Sequence, residues 1–162
     1  LTLREKKGYT YGAYSSLDLY KESGGWIANA EVRNEVVDKA IRTFYDEFRQ
    51  IKEEQIKAEE LRNAKRYLVG SFPLKNEKTS AVNILALWQK LYHLPDYYWE
   101  HYLEEIDAIT AEDVRKVVGK YLQQEKMPLV VVGDAKEVED KIKKFGDVYV
   151  YDADGNRTRK LK

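Results

Sequence analysis

Near the start of the chain, Arg4 and Tyr11 have the types and spacing to handle a developing negative charge. They lie within Leu3-Arg4-Glu5-Lys6-Lys7-Gly8-Tyr9-Thr10-Tyr11, with a glycine between them. A guanidinium is a rigid fork of donors that keeps its charge. A phenol adds a neutral donor of similar reach. Held side by side, the two could grip a peptide carbonyl or carboxylate and stabilise an oxyanion. Such a pair could form the charge-stabilising half of a catalytic site.

The other half is not in these residues. A catalytic zinc takes three protein ligands and keeps one position open for water. The chain has two histidines, His93 and His101, with Pro95 between them. His101-Tyr102-Leu103-Glu104-Glu105 puts a carboxylate where an H-x-x-E-H motif would have its second imidazole, so a helix histidine is the better reading. No cysteine is present to act as a thiolate nucleophile or form a disulfide. No G-x-S-x-G elbow occurs. Gly8–Gly12 and Gly24-Gly25 fit hairpin geometry better than a phosphate cradle. No metal or other cofactor is expected to bind this chain.

A length of 162 residues fits one domain. The 28 basic residues balance the 28 acidic ones, so no global field favours nucleic acid or an anionic membrane. No apolar run approaches the length of a membrane span. The chain opens on Leu1 without a signal-peptide pattern, as if cut from something longer. The compartment stays open.

Several elements must position the pair. Alternation from Tyr9 to Lys21 predicts a strand with Tyr9, Tyr11, Ala13, Leu17 and Leu19 on one face. Glu22-Ser23-Gly24-Gly25 predicts a turn, and Trp26 to Arg33 a second strand, giving a hairpin. Asn34 is placed to cap a helix whose stripe is Val37, Ala40, Ile41, Phe44, Phe48 and Ile51. A second helix carries Ile56, Leu61, Ala64 and Leu68 and is expected to stop near Gly70-Ser71-Phe72-Pro73. A third runs from about Thr79 to Leu91, and Pro95-Asp96 begins a short aromatic one. Its run of Tyr97, Tyr98, Trp99 and Tyr102 reads as core with some interface trim. Thr110-Ala111-Glu112-Asp113 resembles a capping box. Leu129-Val130-Val131-Val132 predicts a buried central strand. Ala135 to Lys144 is helical, Val148 to Tyr151 a last strand, and residues 152–162 a turn and a solvated basic tail. The pattern is α+β, an antiparallel or mixed sheet with helices packed on one face.

Three segments together resemble the pitrilysin family of zinc peptidases, the group of insulin-degrading enzyme and mitochondrial processing peptidase. Leu3 to Tyr11 is similar to the family's L-R-E-x-x-G-x-x-Y stretch. Glu60-Leu61-Arg62-Asn63-Ala64-Lys65-Arg66-Tyr67-Leu68-Val69-Gly70-Ser71 resembles its E-L-x-x-A-K-x-x-x-x-x-S helix. Ile109 to Val114, through Lys120-Tyr121-Leu122 to Val130-Val131-Val132-Gly133-Asp134, is similar to its "helix, then V-V-V-G" ending.

The resemblance implies a fold of two similar halves facing across a chamber. One half carries zinc on H-x-x-E-H, and the other carries the R-x6-Y pair. Arg4 and Tyr11 match that pair, so residues 1–162 are identified as a single, partial zinc-free half-domain whose first strands and helix are missing. Zinc is then expected in a partner half, in the same chain or a separate subunit, with a peptide as substrate. On this reading Arg4 and Tyr11 bind substrate or stabilise the tetrahedral intermediate, and the fragment alone is inactive. The resemblance also allows a non-catalytic scaffold of the same fold, and a stand-alone peptide-binding module is a third reading.

Overall fold

Glycine decides where the chain first turns. The structure, a computed structural model, describes residues 2–161. It opens on a wide helical turn, Thr2–Lys6, closed by a bond from the Lys7 N–H to the Thr2 carbonyl at 3.1 Å. Gly8 then takes φ +61°, which favours glycine. Its N–H donates to the Arg4 carbonyl at 3.1 Å and that of Tyr9 to the Leu3 carbonyl at 3.0 Å, and these two bonds close the turn at a left-handed glycine.

The first strand, β1 (Ala13–Leu19), starts later than its alternation predicts. The Thr10 hydroxyl explains the delay: it donates to the Gly12 carbonyl at 2.7 Å and accepts from the Gly12 N–H at 3.1 Å. Such a local turn competes with extension, so Tyr9 and Tyr11 lie before the strand. β1 pairs with β2 (Gly24–Ala30) as the expected hairpin.

The helices follow: α1 (Val37–Glu53), α2 (Ala58–Lys75), α3 (Thr79–Leu91), α4 (Tyr98–Ala108), α5 (Ala111–Tyr121) and α6 (Ala135–Ile142). Asn34 does not cap α1. Its amide donates to the Glu137 carboxylate at 2.5 Å, and its carbonyl accepts from the Lys141 ammonium at 2.7 Å, so it bridges to α6 instead. α2 does not stop at Gly70–Pro73. Phe72 packs on Tyr102 and Trp99, with centroids 4.8 and 6.1 Å away, and this packing holds the last turn helical despite Pro73. Asn76 closes α2, its N–H reaching the Phe72 and Pro73 carbonyls. At α5 the capping box forms: the Thr110 hydroxyl accepts from the Asp113 N–H while the Asp113 carboxylate accepts from the Thr110 N–H.

Leu129–Val132 is not a strand. Val131 is half-buried against Val37, Ile41 and Val138, but Val130 and Val132 are 78% and 95% exposed. A central strand needs partners on both edges, and no described strand lies alongside this run. The basic stretch expected as a tail is a strand in part: β4 (Arg157–Lys160) pairs antiparallel with β3 (Tyr149–Tyr151). The turn between them is held by Asp152, whose carboxylate accepts from the N–H groups of Asp154 and Asn156, with Gly155 at φ +82°. The class is α+β, with two small two-stranded sheets in place of one larger sheet.

The chain divides into two units. The first takes residues up to Asp18, Gly25–Phe48 and Gln124 onward; its core is Val37, Ile41 and Val138, lined by Val32, Tyr45, Ile142 and Phe145. Trp26 of β2 meets Phe48 of α1 edge-on at 5.4 Å. The second takes Leu19–Gly24 and Arg49–Gln123 and centres on the aromatic cluster of Phe72, Tyr98, Trp99 and Tyr102. The Trp99 indole donates to the Leu85 carbonyl at 2.9 Å, tying α4 to α3.

Candidate functional site

Arg4 and Tyr11 sit on either side of the Gly8 stop. The turn that carries Arg4 is anchored by its neighbour Leu3, which is 5% exposed, so the backbone is fixed while Arg4 itself faces solvent. Tyr11 is 98% exposed. Among the described residues neither side chain has a hydrogen bond or ion pair, and no contact joins the two. Tyr11 is therefore not a core residue of the strand face. What the arrangement offers is two unengaged donors, one permanently charged, on a segment with a rigid base.

His101 is a helix histidine. Its Nδ1 lies 2.9 Å from the Glu104 carboxylate one turn on, and this hydrogen bond raises its pKa, with Glu100 and Glu105 adding smaller attraction. His93 ends α3 with φ +53°, the left-handed position usually given to glycine. Among the described residues no group of three His, Cys, Asp or Glu side chains could hold a metal ion. No helix among them is long and apolar enough to cross a membrane.

Two surface clefts are lined by other residues. The larger, about 520 Å³, lies wholly in the second unit. It is walled by Ile56, Leu61 and Ala111 and carries the cations Arg62, Lys65 and Arg66. Sequence reasoning passed over these cations as part of the Glu60–Ser71 segment. The signal was their i, i+3, i+4 spacing, which puts all three on one side of α2.

Residues 1–68, which include both Arg4 and Tyr11, match the family model described as the peptidase M16 inactive domain. A solved peptidase M16 inactive domain from Pseudomonas fluorescens superposes with a TM-score of 0.67 at 28% identity, over 81% of this chain. The chain is similar to peptidase M16 inactive domains. The resemblance to the zinc-free half of the pitrilysin family is thereby borne out, as is the α+β class. The alignment covers 32% of the Pseudomonas chain, so the chain spans about a third of that protein's length. No curated protein matches.

Proposed function

We propose that the chain works as the zinc-free half of a pitrilysin-type metallopeptidase, pairing with a zinc-bearing half to enclose and hydrolyse peptides. The observation that carries this reading is Tyr11: a phenol left 98% exposed within the segment matched to the inactive domain, and free of any described partner. Arg4, also exposed, stands at the matching position before it.

In the paired enzyme, zinc held by the partner half supplies an activated water. From this chain, the Arg4 guanidinium draws in the peptide by a carbonyl or carboxylate, because its fork suits two parallel hydrogen bonds. The Tyr11 hydroxyl donates to the oxygen on which negative charge grows during attack. Donors that strengthen as charge develops lower the barrier more than they tighten ground-state binding.

The test is turnover by the reconstituted pair. Arg4→Ala and Tyr11→Phe should each lower kcat by roughly 10²–10³, while thermal melting of the variant chains stays unchanged. Full turnover in both variants would overturn the clamp.

A second reading has its own observation. Tyr14, Leu17 and Leu19 of β1 and Ile27 of β2 are all at least half exposed. Bare apolar area of this kind marks an interface, and a scaffold or assembly role would use it without using Arg4 and Tyr11. Retained assembly with unchanged turnover in the two variants would favour that description.

A further inference from the structure

The second unit holds a cleft whose chemistry the peptidase reading does not use. Its floor and walls are Ile56, Ala58, Leu61 and Ala111, and its charged groups are Arg62, Lys65, Arg66 and the lone carboxylate-bearing Asp107. Lys65 is half-buried and fixed, its ammonium donating to the Asp107 carbonyl at 2.5 Å. Arg62 and Arg66 are exposed, and among the described residues neither has a carboxylate within ion-pair distance. Elsewhere cations do find partners: Lys144 with Asp38, Arg159 with Glu139, Lys160 with Asp147.

Three like charges at i, i+3 and i+4 on one helix face repel one another. An anion seated between them removes that repulsion and gains charge-assisted hydrogen bonds from two planar forks. The apolar walls select the kind of anion. Free phosphate would gain nothing from Ile56 and Leu61, whereas a peptide alternating acidic and aliphatic side chains would satisfy both surfaces. We infer that the Arg62–Lys65–Arg66 cleft binds an acidic peptide segment, with carboxylates on the two guanidinium groups and aliphatic side chains against Ile56 and Leu61. The site is separate in residues from Arg4 and Tyr11, so it stands whether or not those two act as a clamp.

The experiment uses the full chain and a fluorescein-labelled peptide of sequence Leu-Glu-Glu-Leu-Glu, read by anisotropy. Binding is expected, weakening as salt is raised because the contacts are solvent-exposed charges. The Arg62→Ala/Arg66→Ala variant should bind roughly tenfold or more weakly, and Arg62→Lys/Arg66→Lys should recover part of the loss. Circular dichroism reports whether α2 remains folded in each variant. Equal binding of the Leu-Gln-Gln-Leu-Gln peptide, or unchanged binding by the alanine variant, would overturn the assignment. Competition by inorganic phosphate as strong as that by unlabelled peptide would overturn the peptide class.

Discussion

The ammonium of Lys144 lies 2.6 Å from the carboxylate of Asp38 and ties the turn after α6 to the first turn of α1. Asp38 gains doubly, since an acidic group at a helix N-terminus also meets the positive end of the dipole. The hydrogen bond from Lys144 holds its carboxyl below the usual carboxylate range, against a smaller opposing push from burial. A depressed carboxylate stabilises the fold above its unfolded pKa, about 4, and that contribution is lost as pH falls through the lowered folded value. Lys144→Met should therefore cost no more than about 1 kcal/mol near neutral pH, since the pair is partly exposed. Urea melts should show the variant and the parent converging in acid. A constant difference across the range would refute the link.

Ile41 is 6% exposed and belongs to the small core that joins α1 to α6. Ile41→Ala removes apolar volume where few neighbours can move in to fill it. A loss of about 2–4 kcal/mol is expected from denaturant unfolding. A loss below about 1 kcal/mol would mean that Val37, Val138 and their neighbours do not act as a core.

Thr110 fixes the start of α5 through the box it forms with Asp113. Thr110→Ala should cost about 1 kcal/mol, and it should also release the Asp113 carboxyl. That carboxyl is held low first by the Thr110 hydroxyl and next by the Thr110 N–H. The pKa of Asp113, followed by NMR, should rise in the variant. No change would show that the hydroxyl bond is not made in solution.

His101 should titrate above the ordinary histidine value of about 6.5, because its bond to Glu104 favours the charged ring. A raised histidine stabilises the folded chain fully below that ordinary value, and the contribution disappears as pH climbs through the raised one. Glu104→Gln should bring the NMR midpoint down. An unmoved midpoint would assign the shift to Glu100 and Glu105 instead.

Much of this molecule could be read from residue order, wherever the cause was local. The Thr110–Asp113 box and the stripe of α1 are each set by neighbours within a few positions, and each is present. The turn expected over Glu22–Gly25 falls earlier, closed by the Tyr20 N–H on the Ser23 carbonyl at 2.9 Å, and Gly24 and Gly25 open β2. Features that depend on distant partners were hidden. Pro73 suggested a helix end, yet Phe72 rests on Trp99 and Tyr102 from another helix. The strand at Arg157–Lys160 has four exposed residues and so no apolar alternation to reveal it. Its order comes from Arg159 on Glu139, Lys160 on Asp147 and the Thr158 hydroxyl donating to the Val150 carbonyl. The valines after Leu129 carried the composition of a central strand without the neighbours that make one. For the candidate site, the Arg4 and Tyr11 spacing was plain in the sequence, but the freedom of both side chains was not. The cleft beside Arg62 needed Asp107 and Ala111, which lie far along the chain.

Asp38 and Lys144 stand 106 positions apart, and the unit they stabilise is gathered from three separate stretches. The other unit is mostly one unbroken run, Arg49–Gln123. Closing a long loop costs entropy before any contact repays it, and chains rich in distant pairings fold slowly. The contiguous run should thus acquire its shape first on dilution from denaturant. Single-tryptophan variants report the sequence of events: one keeping Trp99 should change emission early, and one keeping Trp26 later. Simultaneous changes would mean that the two parts fold as a single cooperative block.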